Sequence, residues 1–198
     1  MSSYGFGSVW KGPDLPQKLQ LHCAVALNSK TVLIIRGKND RNEVSNKTFG
    51  YDFESSQWVT GPELAIGRHS HACSVYEDNQ ELLVYVVGGS NDNGVLDSVE
   101  FAILNQDNIL TKDWYWSSGP KFPINVRYHA MVSTKYALYV IGGYSLDANA
   151  KSNGQLLDAI FELNLYSKNS TWVQLPQKLS VARADVVALA LPQEATDD

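Results

Sequence analysis

The sequence predicts an all-β fold in which one four-stranded unit recurs along the chain. Two short apolar runs, rich in β-branched and aromatic residues, each end in a double glycine, at Gly88 and Gly89 and at Gly142 and Gly143. Such runs are typical of strands buried on both faces, and glycine lets the backbone turn or approach a neighbour closely. Tryptophans that precede a turn recur with the same period of about 50 residues, and they are Trp58, Trp116 and Trp172.

The predicted strands repeat one plan along the chain. Each is a run of β-branched, aromatic and aliphatic residues bounded by Gly, Pro, Asn or Ser. A last strand of a preceding unit is predicted within 1–10. The first unit has strands at 19–27, 31–35, 48–53 and 57–58, the second at 70–76, 82–87, 98–104 and 114–116, and the third at 128–134, 137–141, 159–165 and 171–173. A polar loop is expected at 145–155, one more strand at 185–191, and a polar tail at 192–198.

Four antiparallel strands per unit, joined by turns, describe one blade of a β-propeller. Within a unit the order is arginine, then His-Ala or His-Cys, then an apolar strand ending in Gly-Gly, then a strand with Tyr or Phe, then tryptophan. This order resembles the kelch repeat. The resemblance implies a kelch-type propeller segment over 1–191, with units at approximately 11–58, 59–116 and 117–172 and a partial unit at 173–191. The first unit departs from the pattern, since Arg36 and Gly37 stand in place of the double glycine.

The number of units creates a packing problem. Closed propellers have about four to eight blades, and each blade needs neighbours on both faces to bury its apolar residues. Three complete units with single flanking strands therefore predict a piece of a longer propeller. If the chain is complete, its end units expose apolar surface and favour self-association. Closure as four blades through the two termini is the rival arrangement, and it lacks two strands.

A polar binding surface is predicted where the loop before the first strand of a unit meets the loop after the second strand. Arginine can hold a carboxylate through two parallel hydrogen bonds, and tyrosine offers rigid contact area. The resemblance implies that this face binds proteins or peptides, in some kelch proteins as substrate receptors of ubiquitin ligases and in others as actin-associated adaptors. We expect a non-enzymatic interaction module with an acidic protein or peptide partner. The predicted contact residues are Arg68, Arg127, Arg183, Ser90, Asn91 and Tyr144.

Catalysis is the alternative, in a fragment of an oxidase-like or glycan-processing propeller. Propellers related to kelch include copper oxidases, and the histidines of this chain are His22, His69, His71 and His129. They mostly recur once per unit, which repetition explains without a metal, and no third ligand accompanies the close pair at 69 and 71. Asp92, Asp97 and Asp158 lie near loops, where carboxylates are usually solvated, and the chain lacks a Gly-x-Ser-x-Gly elbow. No catalytic residue, metal or cofactor is predicted.

Charge and composition disfavour several further functions and locations for the protein. The formal net charge of −5 gives no basic face for nucleic acid or anionic membranes, and no apolar stretch reaches the length of a membrane span. The first residues lack the regions of a signal peptide, so a cytoplasmic location is expected. Counted from the repeated histidine, Cys23 and Cys73 face opposite sides of their strands, which predicts two free thiols. The sequons at Asn46 and Asn169 would matter only in a secreted protein.

Overall fold

The computed structural model describes residues 12–78, 81–105, 110–111, 113–146, 154–167 and 169–191. The first sheet contains β1 (Cys23–Ala26), β2 (Thr31–Ile35), β3 (Thr48–Asp52) and β4 (Gln57–Gly61). The next strands are β5 (Ala72–Asp78), β6 (Glu81–Val87), β7 (Ser90–Asn91), β8 (Gly94–Val95), β9 (Val99–Asn105) and β10 (Trp116–Ser118). The last are β11 (Ala130–Ser133), β12 (Ala137–Ile141), β13 (Tyr144–Ser145), β14 (Gln155–Leu156), β15 (Ala159–Asn164) and β16 (Val173–Lys178).

These strands form three antiparallel four-stranded sheets and two short ribbons. The second sheet has the order β5, β6, β9, β10 and the third β11, β12, β15, β16, so each sheet runs from its first to its last strand as the chain does. The ribbons, β7 with β8 and β13 with β14, follow the second strand of their sheets. The predicted all-β fold of repeated four-stranded units is confirmed. Within the described ranges, no helix is long and apolar enough to cross a membrane.

Four sequence predictions differ from this arrangement or fall outside the described residues. The predicted strand at 185–191 is wrong, because no neighbouring strand pairs with it in the described part of the chain. The predicted loop at 145–155 is partly wrong, because its two ends pair as β13 and β14. The predicted strand within 1–10 and the polar tail at 192–198 lie outside the described residues.

The sheets pack face to face, and β5 shows how. One side of this strand, with Ala72 and Tyr76, belongs to an apolar cluster shared with the third sheet. The other side, with Cys73 and Val75, belongs to or packs on a second cluster shared with the first sheet. Because side chains alternate along a strand, each sheet can bury both of its faces against neighbours. Successive sheets therefore stack as the blades of a propeller.

A line of backbone hydrogen bonds joins the sheets at their first strands. Ser70 donates its N–H to the carbonyl of Leu21 at 2.9 Å, Tyr128 donates to Ser70 at 3.0 Å, and Asp185 donates to Tyr128 at 2.8 Å. All four residues have a left-handed backbone, with φ between 54° and 56°. The four positions are therefore equivalent, and they mark the starts of three sheets and of the segment that follows them.

The tryptophans join the sheets at their last strands. Each indole Nε1–H donates to a backbone carbonyl in the turn that ends the preceding repeat. The bonds run from Trp58 to Asp14 at 3.0 Å, from Trp116 to Pro62 at 3.2 Å and from Trp172 to Pro120 at 3.0 Å. The tryptophan period in the sequence thus records a repeated bond between one repeat and the next.

A disulfide joins the first two sheets, and it corrects the prediction of free thiols. Cys23 on β1 and Cys73 on β5 are bonded, with their Cα atoms 6.0 Å apart. The two side chains do face opposite sides of their own sheets, as the sequence indicated. Neighbouring sheets, however, meet through opposite sides, so both sulfurs lie at the same interface.

Reduction of this disulfide is expected to lower the free energy of unfolding by about 2–4 kcal/mol. The bond closes a loop of 50 residues, which restricts the unfolded chain. Urea unfolding with and without a phosphine reductant measures the loss. A Cys23→Ser/Cys73→Ser variant is the control, because its unfolding should not respond to the reductant. Equal unfolding midpoints for the oxidised and reduced wild type would contradict the prediction.

Candidate functional site

Isolated backbone bridges bring the predicted pairs of loops together at one end of the sheets. Residues 20 and 38 are bridged in the first repeat, His69 and Ser90 in the second, and Arg127 and Tyr144 in the third. In each case a residue just before the first strand meets a residue just after the second strand. Side chains from three successive repeats are thereby presented on one surface.

Arg127 lies between two tyrosine rings on this surface. Its guanidinium carbon is 5.0 Å from the centre of the Tyr128 ring and 5.1 Å from that of Tyr144. All three side chains are half-buried. No partner for Nε occurs within the described part of the chain. Stacking on aromatic faces holds a guanidinium in place while its in-plane donors can still bind an acceptor.

A positive charge from the first repeat and an imidazole from the second lie near Arg127. Burial lowers the pKa of His69, and the positive charges of Lys38 and Arg127 lower it further, while Asp92 opposes them. His69 Nδ1 lies 2.9 Å from the hydroxyl of Ser70. We call this surface the Arg127 face. Its half-buried members are Lys38, Asn91, Arg127, Tyr128 and Tyr144, and the buried His69 adjoins them.

Arg68 lies in the interior, away from this face. Its side chain is fully buried and forms an ion pair at 2.7 Å with the equally buried carboxylate of Glu100. The guanidinium also donates to the carbonyls of Gly88 at 2.9 Å, Ser98 at 3.0 Å and Ile66 at 3.3 Å. The prediction that Arg68 contacts a partner is therefore wrong. It binds the loop between the first two sheets to the second sheet.

The remaining predicted contact residues have different environments. Ser90 is 3% exposed, and its backbone is hydrogen bonded in both directions to His69, so its side chain is not on the surface as predicted. Asn91 is half-exposed, and its Oδ1 accepts the N–H of Asn93 at 2.9 Å. Arg183 is exposed. Binding of a partner by Asn91, Arg127, Arg183 and Tyr144 stays a prediction.

Arg127 and Arg68 do not occupy equivalent positions. Val126 donates its N–H to the carbonyl of Leu96 at 3.0 Å, and Arg68 and Arg183 each donate to the matching carbonyl of the repeat that precedes them. Val126 is thus the equivalent of the two other arginines, and Arg127 comes one residue later. This shift places Arg127 on the surface instead of in the interior. Alignment on the repeated histidine, two residues after Arg127 and three after Arg68, carries this signal in the sequence.

The two glycine pairs form the same sharp turn after the second strand. Their φ angles are 58° and 92° at Gly88 and Gly89, and 61° and 105° at Gly142 and Gly143, a region that side chains disfavour. A Cβ at position 89 would lie 2.9 Å from that of His71, and one at position 143 would lie 2.8 Å from that of His129. These glycines therefore let the turn approach the first strand of its own sheet.

His71 and His129 lie beneath these turns and are buried. Burial lowers the pKa of His71 well below its usual value, and that of His129 to about 3. Both histidines are therefore neutral at physiological pH. In the described ranges, no three His, Cys, Asp or Glu side chains are grouped as metal ligands. The repeated histidines thus belong to the packing of the sheets.

No protein-family model matches the chain. Sequence comparison nevertheless finds similar proteins that are named after the repeat that the sequence resembles. "Kelch repeat and BTB domain-containing protein 2" of horsepox virus is 24% identical over 165 residues, which are 79% of this chain and 28% of that protein. The repeats of this chain are kelch repeats. A second relative agrees with this by its name, and a third matches a larger share of the chain. "Kelch-like protein 41a" of Danio rerio is 25% identical over 135 residues, covering 68% of this chain and 20% of that protein. "Alpha-scruin" of Limulus polyphemus is 24% identical over 180 residues, covering 86% of this chain and 18% of that protein.

The three sheets are accordingly blades of a partial kelch propeller. The chain spans less than a third of the length of these curated relatives.

Proposed function

We propose that this kelch-repeat chain is a non-enzymatic interaction module whose Arg127 face binds an acidic segment of a partner protein. The observation that carries the proposal is the guanidinium of Arg127 held between the rings of Tyr128 and Tyr144. A guanidinium fixed in this way loses little side-chain entropy when it binds a carboxylate through two hydrogen bonds.

The neighbouring charges support the acidic character of the partner. Lys38 and Arg127 both act electrostatically on His69, so two cations from different repeats lie near one ring. The carboxylate of Asp92 also acts on this ring, so two cations face one carboxylate here, in a chain whose net charge is negative. Such a face speeds association with an acidic segment, and the association weakens as salt is added.

Arg127→Ala is expected to weaken binding of an acidic peptide at least about tenfold, since it removes a charge-assisted pair of hydrogen bonds. Selection of 12-residue peptides from a random displayed library on the wild-type chain supplies the probes. We expect the selected peptides to be rich in Asp and Glu, and their affinities can be measured by fluorescence anisotropy at two salt concentrations.

Lys30→Ala is the matched control. It removes the same charge from the turn between β1 and β2, at the opposite end of the sheet, where Lys30 pairs with Glu54 at 2.6 Å. Selected peptides should bind this variant as they bind the wild type. Selected peptides without acidic residues, or equal binding to the Arg127→Ala variant, would contradict the proposal. A fall in the unfolding midpoint with unchanged affinity would assign Arg127 to structure.

The cellular role of such binding is a finer question. We keep two roles that the resemblance implies, a ubiquitin-ligase substrate receptor and an actin-associated adaptor, as predictions. Co-sedimentation with filamentous actin separates them, because only the second role requires it.

A catalytic propeller is the alternative from another class, and stoichiometric copper or zinc in the purified chain would favour it. The cytoplasmic location stays a prediction. The disulfide between Cys23 and Cys73 favours an oxidising compartment instead, because disulfides persist mainly there.

A further inference from the structure

Each repeat carries a row of three residues across the end of its sheet, joined by backbone pairing. In the third repeat Arg127 pairs with Tyr144, and Tyr144 pairs with Leu156 on β14. Directly opposed residues on neighbouring extended segments project their side chains to the same side. The guanidinium, the phenol ring and the leucine side chain therefore lie next to one another, in that order.

The equivalent rows of the other two repeats also end in an aliphatic residue. They are Gln20, Lys38 and Val44 in the first repeat, and His69, Ser90 and Val95 in the second. Both valines are half-buried. Leu156 is larger than valine, and it is 52% exposed. The third repeat thus presents the largest apolar side chain at this position, and presents it to solvent beside the Arg127 face.

Gly154 determines how the Tyr144 ring lies in the row. Its φ is 70°, and a Cβ at this position would overlap the phenol ring of Tyr144. The ring therefore occupies the space of a missing side chain, two residues before Leu156 on the paired strand. Arg127 lies 5.1 Å from the centre of the same ring. One aromatic ring thus separates a cation from an exposed aliphatic side chain.

We propose that the acidic partner segment also carries an aliphatic residue, two positions from its Asp or Glu, which packs on Leu156. This inference rests on the proposed function of the Arg127 face and adds a second recognised residue. The first and third of three paired segments lie about 10 Å apart, and two residues of an extended peptide span about 7 Å. The side chains of Arg127 and of the acidic residue cover the difference. A carboxylate bound to the guanidinium therefore brings the second side chain over Leu156.

The probes are 12-residue peptides selected on the wild-type chain, each with its aliphatic residue intact or changed to alanine. We expect the selected peptides to share a Leu, Ile, Val or Met two positions from an Asp or Glu. Leu156→Ala should weaken binding of the intact peptide about fivefold or more, because an apolar contact is lost. It should not weaken binding of the alanine peptide further, since both changes remove the same contact.

Two variants provide the controls. Ile103→Ala also shortens an exposed aliphatic side chain, since Ile103 is 46% exposed on β9, where it pairs with Leu83 away from the glycine turn. It should bind both peptides as the wild type does. Arg127→Ala should weaken binding of both peptides, because both keep the acidic residue.

Different results would overturn this inference and the proposed function. Acidic peptides without an aliphatic residue at this spacing would overturn the inference alone. Unchanged binding of the intact peptide to Leu156→Ala, or equal weakening of the intact and alanine peptides, would do the same. Selected peptides without acidic residues, or unchanged binding to Arg127→Ala, would overturn the proposed function and the inference with it.

Discussion

Arg68→Ala is expected to lower the free energy of unfolding by about 3–5 kcal/mol. The substitution leaves the carboxylate of Glu100 buried without its counter-charge, 2.7 Å from where the guanidinium had been. It also removes the donors that satisfy the carbonyls of Gly88 and Ser98. Urea unfolding followed by tryptophan fluorescence measures the loss. Lys30→Ala, which breaks an exposed ion pair, should leave the unfolding midpoint unchanged.

The interface between the second and third sheets provides a sharper test of the same ion pair. At the positions of Arg68 and Glu100, the third repeat has Val126 and Phe161, which pack in the apolar cluster there. An Arg68→Val/Glu100→Phe variant should therefore recover much of the stability that Arg68→Ala loses, since an apolar pair can replace a buried ion pair. Recovery should be incomplete, because the N–H of Ala65 loses the carboxylate oxygen that it reaches at 2.7 Å. A double variant no more stable than Arg68→Ala would show that the apolar pair of one interface between sheets cannot replace the ion pair of the other.

The strands were largely predictable because their apolar side chains are buried on both faces. The runs at 31–35 and 137–141 were predicted with the bounds that β2 and β12 have. The segment 185–191 has an equally apolar sequence, yet it is not a strand. A strand is defined by its partner, and no described residue pairs with this segment. Local sequence carries the propensity for extended backbone but not the presence of a neighbour.

The candidate site was harder to predict because it depends on single-residue register. Arg68 and Arg127 look alike in sequence, and one residue of offset separates a buried structural role from a surface position. Tyr128 was missed because its left-handed backbone, which aims the ring at Arg127, has no signature in its residue type. The cysteines show the same limit. The side of its own strand on which each cysteine lies was predicted correctly. Which sides of neighbouring sheets meet is decided by how the sheets stack, and this brings the two sulfurs together.

Stability is expected to fall as the pH falls below about 6.5, because of the buried histidines. The pKa of His129 in the folded chain is about 3, against an ordinary value of 6.5. Between these two values the unfolded chain binds a proton that the folded chain does not, so acid favours unfolding. Above the ordinary value neither state is protonated, and this effect is absent. His129 alone should cost about 2 kcal/mol at pH 5 relative to pH 7.5, and His71 acts in the same direction.

Urea unfolding of the wild type and of His129→Gln between pH 7.5 and pH 5 separates this effect from the titration of carboxylates. Glutamine keeps a polar side chain of similar length but does not titrate in this range, so the variant should lose less stability on acidification than the wild type. The same change at His22 is the matched control, because the His22 side chain is exposed in the folded chain, whereas that of His129 is buried. His129→Gln should therefore flatten the pH dependence more than His22→Gln does. Equal pH dependence in the wild type and the His129→Gln variant would mean that water or a structural change already accommodates the protonated ring.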